Sequence, residues 1–330
     1  MNTIDKIQSF VSVLKAKFFN KRIPIAVRIE LTNRCPNRCV YCNIWNAKMV
    51  EPPKEEIFSL LRELKELGTK KVSFSGGEPM LRPDIGEIIT YCKTLGISPE
   101  MNTSGILVSK RIKEISSLDL IKISIDGPED IHDFIVRRKG SYKEAVSALD
   151  ATTSYGIKTV ITTTITRYNI NHLDYIIDLA KKYNCFVAFQ PVKKMVYSGV
   201  EVDNLLPDIE EYRQAIQKLI NLKLSGNGYM RNSLAGLKHI YYFPNYSKMK
   251  CAAGRLFMII DVDGTVYPCD RVDYEYKGSL PNYKEAGLKK AINMLPEVNC
   301  SGCGFCGALE LSFLLNFRIS GITTIPKLIK

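Results

Sequence analysis

Between residues 26 and 193, short runs rich in β-branched and aromatic residues alternate with longer stretches whose apolar positions recur every three to four residues. The strand-like runs begin near Val27, Val72, Ile97, Ile121, Thr159 and Phe186. The clearest helical pattern is Lys54 to Leu67, where Ile57, Leu60, Leu61, Leu64 and Leu67 share one face and Gly68 supplies a stop. Further helices are predicted over 82–95, 109–117, 141–155 and 171–183. Six β/α units with short links imply a parallel sheet with right-handed crossovers, two units short of the eight of a closed barrel. Beyond them come a helix near Asp208 to Leu224 and the aromatic loop Tyr241-Tyr242-Phe243-Pro244, read as packing between two parts of the molecule or as shaping a pocket. Two apolar strands joined by Asp263-Gly264 then predict a tight hairpin. At the start, Ile4, Ile7, Val11, Leu14 and Phe18 recur at helical spacing among Lys6, Lys15, Lys17, Lys21 and Arg22. An amphipathic helix is expected there, its stripe packed across one end of the barrel, with an anionic membrane as the other reading.

The placement of cysteines changes the picture from fold to chemistry. Cys35, Cys39 and Cys42 lie in the run Leu31-Thr-Asn-Arg-Cys35-Pro-Asn-Arg-Cys39-Val-Tyr41-Cys42, three thiols with no histidine nearby. A C-x2-C pair alone would suit zinc or a redox dithiol equally well. Three thiols at this spacing can converge on an iron-sulfur cluster and leave one iron open, a place to bind and reduce something. Downstream, Val72-Ser-Phe-Ser-Gly76-Gly77-Glu78-Pro79 runs a strand into a glycine pair and an acid, where a ligand could approach the backbone and Glu78 could accept a hydrogen bond from an ammonium group. Near the C-terminus, Cys251 and Cys269 flank the hairpin, and Cys300-Ser-Gly-Cys303-Gly-Phe-Cys306 adds three thiols. Five cysteines without histidine among them suit a second iron-sulfur cluster better than zinc. Cys92 and Cys185 sit in helix and strand patterns and read as small buried residues.

Composition narrows the setting. With 330 residues, 45% of them hydrophobic, the chain can bury a sizeable core. No apolar run reaches the roughly 18 to 20 residues that cross a bilayer, and a secretion signal is not expected. Ten cysteines at ligand-like spacings point to metal in a reducing cytoplasm rather than to disulfides. The formal charge of +12 comes from Lys and Arg spread over most helices, which reads as a solvated surface and not as a nucleic-acid site.

The C-x3-C-x2-C triplet with its aromatic, followed by Gly-Gly-Glu-Pro, resembles the radical S-adenosylmethionine (SAM) enzymes. The resemblance covers about residues 26 to 310 and implies a partial (β/α)6 TIM-like barrel, an α/β fold with motifs at the C-terminal ends of its strands. It implies a 4Fe-4S cluster on Cys35, Cys39, Cys42 and SAM, whose reductive cleavage gives a 5'-deoxyadenosyl radical. Tyr41, Gly76, Gly77, Glu78 and Pro79 would belong to the SAM site. Ser124 and Asp126, two residues apart at the end of the fourth strand, would lie near the SAM carboxylate or ribose, and Arg137, slightly preferred to Arg138, would counter that carboxylate. Asn102 and Gln190 end the third and sixth strands, where a polar turn explains them as well as cofactor binding does. The C-terminal region resembles the SPASM/twitch extension in its shorter, one-cluster form, since five cysteines stand where a full SPASM region carries seven. An auxiliary 4Fe-4S cluster is then expected on Cys251, Cys269, Cys300 and Cys303, with Cys306 as an alternative ligand or a catalytic thiol.

The layout expected is an amphipathic helix at 1–25, the barrel at 26–195, a helical connection at 196–245 and the auxiliary-cluster region at 246–330. The leading activity is hydrogen abstraction and oxidative modification, by dehydrogenation or carbon-carbon or carbon-sulfur bond formation, of a peptide, cofactor precursor or small metabolite. Adenosylation or coupling on an isoprenoid or lipid is the alternative, and a non-catalytic iron-sulfur carrier is the alternative of another class. A ferredoxin or flavodoxin would donate electrons, in a cytoplasmic or membrane-peripheral setting.

Overall fold

A computed structural model describes residues 3–193, 200–246, 249–269, 279–297 and 304–317, with only the backbone of residues 3–7 and 306. The elements in chain order begin with α1 (Thr3–Phe18), β1 (Ala26–Glu30), α2 (Lys54–Glu66), β2 (Lys71–Ser75), α3 (Ile85–Thr94), β3 (Ser98–Thr103) and β4 (Leu120–Ser124). There follow α4 (Glu129–Val136), α5 (Ser141–Ser154), β5 (Thr159–Ile165), α6 (Leu173–Lys182), β6 (Phe186–Pro191), α7 (Ile209–Leu224) and α8 (Leu234–Ile240). The C-terminal part adds β7 (Phe257–Ile260), β8 (Val266–Tyr267), α9 (Tyr283–Ala286), α10 (Leu288–Met294) and α11 (Cys306–Leu315).

Strands β1 to β6 lie side by side in sequence order and pair in parallel, as the alternating pattern predicts. The hairpin does not stand apart from them. β7 pairs in parallel with β1, with Ala26 opposite Phe257 and Ile29 opposite Ile260, so the sheet runs β6-β5-β4-β3-β2-β1-β7-β8. One face of each strand packs on the helices: Val27, Ile29, Val72, Phe74, Met101, Ile121 and Ile123 join Ile57, Leu60, Leu61 and Leu64 of α2 in the main core. Because side chains alternate, Arg28, Glu30, Ser73, Asn102, Lys122, Ser124 and Gln190 fall on the opposite, lumen side. A smaller apolar cluster closes the N-terminal end of that lumen, with Ala26, Phe257 and Ile259 against Ala308, Leu311 and Leu315 of α11 and Val13 and Ala16 of α1.

Two expectations need correction. The helix expected over 109–117 is a single 3-10 turn, Ile112–Ile115, because only Ile112 and Ile115 offer apolar surface among charged and serine neighbours. The stripe of α1 also does not pack inward: Phe10, Val11 and Phe18 are exposed, and the small-residue face holding Val13 and Ala16 is the buried one. The aromatic loop packs as one of its two readings has it, with Phe243 5.4 Å from the ring of Tyr212 on α7. Cys92 and Cys185 are buried as expected.

Candidate functional site

The loop that carries Cys35, Cys39 and Cys42 leaves the C-terminal end of β1 and lies directly on the glycine-rich loop that leaves β2. Backbone meets backbone: Gly77 N–H donates to the Thr32 carbonyl at 2.7 Å and Glu78 N–H to the Arg34 carbonyl at 2.8 Å. Here the glycines are required. A Cβ on Gly76, which sits at φ +123°, would lie 2.3 Å from the Thr32 oxygen, and one on Gly77 2.3 Å from the Arg34 oxygen. The close approach foreseen for a ligand is thus made, at these Cβ positions, by the cysteine loop itself.

The far side of the loop is pinned to β4 and α4. Arg38 N–H donates to Val136 O and Val40 N–H to Ile135 O, both at 2.9 Å. Arg138 Nε donates to Asn37 Oδ1 at 2.6 Å, between the first two cysteines. Arg138, and not the slightly preferred Arg137, is therefore the arginine that reaches the cysteine loop; Arg137 caps α4 in a left-handed conformation at φ +53° and is exposed. Trp45 stacks beside the same loop, with the Arg38 guanidinium 4.2 Å from its ring centre.

The three thiols are half-buried. Burial is the main cause that raises all three pKa values, Cys35 to about 11 and Cys39 well above the ordinary range. The Cys42 sulfur adds to the rise at both Cys35 and Cys39, which places the three sulfurs within electrostatic reach of one another. Three soft donors share one loop, with no imidazole or carboxylate among them, the donor set of an iron-sulfur cluster with one iron left open, but among the described residues no three ligand side chains converge closely enough to hold a metal ion.

Glu78 is wholly buried and its carboxylate is saturated. Oε1 accepts from Met80 N–H at 3.1 Å and Thr103 Oγ1 at 2.7 Å, while Oε2 accepts from Ser104 N–H at 2.7 Å and from the Ser104 hydroxyl. Four donors use the capacity of the group. The side chain thus ties the end of β2 to the end of β3. Asp126 has a similar place. Tyr41 donates its phenol to Asp126 Oδ2 at 2.6 Å and Thr164 N–H donates to Oδ1 at 2.8 Å, so this carboxylate latches the cysteine loop to β4 and β5. Burial pushes the Asp126 carboxyl up to about 6 against these bonds. His132 Nδ1 accepts from Asp126 N–H at 3.1 Å, and burial lowers its pKa to about 4. Asn102 donates to Ser73 Oγ at 3.2 Å on the lumen side. Ser124 and Gln190 are half-buried at the lumen ends of β4 and β6, and Pro79 is buried in a 3-10 turn.

Sequence reading missed the charged floor of the lumen. Arg28 pairs with Glu30 at 2.7 Å on β1, and Asp261 sits just past β7 beside them, its carboxyl pushed up to about 7 first by burial and then by the Glu30 charge. The same Arg28 and Glu30 act on the Cys42 thiol in opposite directions. Lower down, Glu100 bridges Lys71 and Lys122, and the two ammonium groups hold its carboxyl far below its ordinary range despite burial. A usable signal was present: two charges at alternate positions of the otherwise apolar strand Val27-Arg28-Ile29-Glu30-Leu31.

Of the C-terminal cysteines, Cys251 is half-buried and Cys269 buried, on either side of the β7-β8 hairpin. Ala253 N–H points to Cys251 Sγ at 3.4 Å. Cys306 is the first residue of α11, and Cys300 and Cys303 lie outside the described residues.

A parallel sheet of β/α units thus carries a three-cysteine loop braced at its C-terminal edge. Residues 29–180 match the model of the radical SAM superfamily. That superfamily is one of enzymes that use a 4Fe-4S cluster and SAM, and the match carries this expectation to residues 29–180. Among solved structures, Streptococcus suis SuiB bound to S-adenosylmethionine superposes with a TM-score of 0.66 at 16% identity, over 83% of this chain and 67% of SuiB. SuiB bound to precursor peptide SuiA superposes equally well, at 0.66 and 16%, over 84% of this chain and 66% of SuiB. Native anSMEcpe with bound AdoMet gives 0.65 at 19% identity, over 93% of this chain and 98% of that one. The chain thus spans about two thirds of the length of SuiB. At such identities the likeness is one of fold.

Proposed function

We propose that this chain cleaves SAM reductively and uses the resulting radical to modify a peptide oxidatively. The observation that carries the reading is the interlock of the Cys35/Cys39/Cys42 loop with Gly76-Gly77-Glu78 at the mouth of a charged lumen. When bound, the cluster and SAM supply the one-electron cleavage that no side chain provides. The residues of the chain hold and orient. Cys35, Cys39 and Cys42 would bind the cluster, Gly76, Gly77 and Pro79 shape the cleft, and Asn102, Ser124 and Gln190 line the lumen where SAM and substrate would sit. Tyr41, Glu78 and Asp126 keep the loop in place, with Arg138 at its edge and Arg137 outside it.

A peptide substrate is favoured by the shared fold with SuiB, whose structure with the precursor peptide SuiA is known, and by a lumen that offers both acids and bases to a polar chain. Auxiliary 4Fe-4S binding by Cys251, Cys269, Cys300 and Cys303, with Cys306 as the substitute ligand or a reactive thiol, would give the substrate electron an acceptor and make the outcome oxidative. Ferredoxin or flavodoxin would deliver the reducing electron, and the +12 charge suits an acidic donor protein. The layout proposed remains a helix at 1–25, barrel at 26–195, connection at 196–245 and auxiliary region at 246–330, with β7 of the last region completing the barrel sheet. No described helix is long and apolar enough to cross a membrane. Coupling on an isoprenoid or lipid is the second reading, favoured by the exposed apolar stripe of α1.

The test is direct. Reconstituted protein with dithionite and SAM yields 5'-deoxyadenosine, and alanine at Cys35, Cys39 or Cys42 abolishes it. Loaded wild-type protein that leaves SAM intact would make the chain an iron-sulfur carrier instead.

A further inference from the structure

Helix α1 rests on the barrel by the less hydrophobic of its faces. Val13 and Ala16 are 5% and 0% exposed against Ala252, Leu256 and Ala308, whereas Phe10 is 49%, Val11 38% and Phe18 65% exposed. At about 100° per residue, Phe10, Val11, Leu14 and Phe18 form one stripe nearly opposite the buried pair, and Ile4 and Ile7 continue its register. Phe19, just past the helix, is 72% exposed. The orientation is fixed, not incidental: Lys250 Nζ donates to the Lys17 carbonyl at 2.9 Å, Arg255 Nε to Asn20 Oδ1 at 2.9 Å, and Asn20 Nδ2 to Glu297 at 3.1 Å. Turning the stripe inward would break these anchors.

We propose that this face docks the protein on an anionic lipid bilayer, with α1 lying in the interfacial plane. Charge selects the occupant. Lys6, Lys15, Lys17 and Lys21 fall within this segment against the single acid Asp5, and Lys15 and Lys21 are exposed beside the stripe, while Arg22 turns to the Gly254 and Ile292 carbonyls. A second copy of the chain would bring the same cations to a self-facing interface. Phe317, the last described residue, reaches one edge of the stripe, its ring 6.1 Å from that of Phe18 and under the Lys17 ammonium; residues 318–330 beyond it hold Arg318, Lys327 and Lys330 with no acid, so they meet the same repulsion. Aromatic and aliphatic groups to insert, with lysines at the rim, match acyl chains beneath anionic headgroups. α1 packs beside Ile25, Ala26 and Phe257 at the N-terminal ends of the strands, so docking leaves the cysteine loop on the face turned away from lipid. A peptide and an electron donor could then reach the mouth from water.

Vesicle sedimentation of the full chain tests this with phosphatidylcholine alone and with about one third phosphatidylglycerol. The protein should sediment with the anionic vesicles only, and high salt should release it. Lys15→Glu/Lys21→Glu should weaken binding at least about 25-fold, at roughly fivefold per charge. Phe10→Ser/Phe19→Ser should weaken it roughly tenfold per ring, with an unchanged urea midpoint because both rings face solvent; Phe18 is left in place because its ring lies 6.1 Å from that of Phe317. Failure to bind anionic vesicles, or binding indifferent to both variants, overturns the proposal. So does a wild-type dimer that the Phe variant dissolves, which would make the stripe a self-interface, or a fall in the urea midpoint of that variant, which would mean the chain covers the stripe itself.

Discussion

Glu78→Gln separates a residue that touches SAM from one that holds the loop SAM would rest on. In the structure each carboxylate oxygen receives one backbone N–H, from Met80 or Ser104, and one hydroxyl, from Thr103 or Ser104. Glutamine offers a carbonyl to one pair and an NH2 group to the other. The hydroxyl in the second pair can turn and accept, but the backbone N–H cannot, so either orientation strands one buried donor at a cost of about 1–3 kcal/mol. Loss of charge weakens the two bonds that remain. Relief of the buried charge works the other way, since burial is what raises the Glu78 pKa, and it holds the net cost within that range. Urea unfolding of the metal-free protein at neutral pH should therefore show a loss of about 1–3 kcal/mol, roughly 5- to 150-fold in the folding equilibrium. Unchanged stability together with a tenfold loss of SAM affinity in the loaded enzyme would refute the bracing role and restore a direct contact with the ammonium group.

Gly77→Ala forces a Cβ to 2.3 Å from backbone at Arg34, so the metal-free protein should lose about 1–3 kcal/mol in urea unfolding and bind less iron on reconstitution; full iron uptake with native stability would contradict the interlock. Asp126 titrates near 6 when folded against an ordinary 3.8, and a raised value means that its stabilising contribution is present below about 4 and lost as pH rises through 6. Acidifying the metal-free protein from pH 7 to 4 should gain up to about 3 kcal/mol from this group, and Asp126→Asn, which can still bond Thr164 and Tyr41, should flatten that slope in urea titrations. If the C-terminal cysteines hold a cluster, the Cys35/Cys39/Cys42 triple alanine variant should keep about four of about eight irons; a folded variant without iron would remove the auxiliary cluster from the account.

The barrel was legible because β-branched runs and amphipathic helices such as Lys54–Glu66 carry their period in the chain, and all but the segment at 109–117 occupy about the expected span. The cysteine loop was legible because metal ligation needs residue types at set spacings. What escaped depends on neighbours remote in sequence. Helix α11 reads Cys-Gly-Ala-Leu-Glu-Leu-Ser-Phe-Leu-Leu and has little period, since it is surrounded by apolar contacts to α1, α8 and β6. The outward stripe of α1 escaped because bulk marked its apolar face, while close packing against Ala252 and Ala308 selected the small side chains. Glu78 was recognised as special, but its partners at Thr103 and Ser104 come from another strand, and no local pattern announces them.

The parallel pairing of Ala26 with Phe257 joins residues more than two hundred positions apart. A ribosome releases β1 and the cysteine loop early, yet the strand that covers the open side of β1 emerges only when most of the chain has been made. Until then β1 presents an unpaired edge, a hazard for association with other chains. Closure of the sheet is thus a late event in folding, governed by a long loop that must first be drawn together. Iron delivered during synthesis would meet a loop braced by β2 and α4 but carried on a strand whose other flank is still bare, so loading of the site is best timed after translation ends.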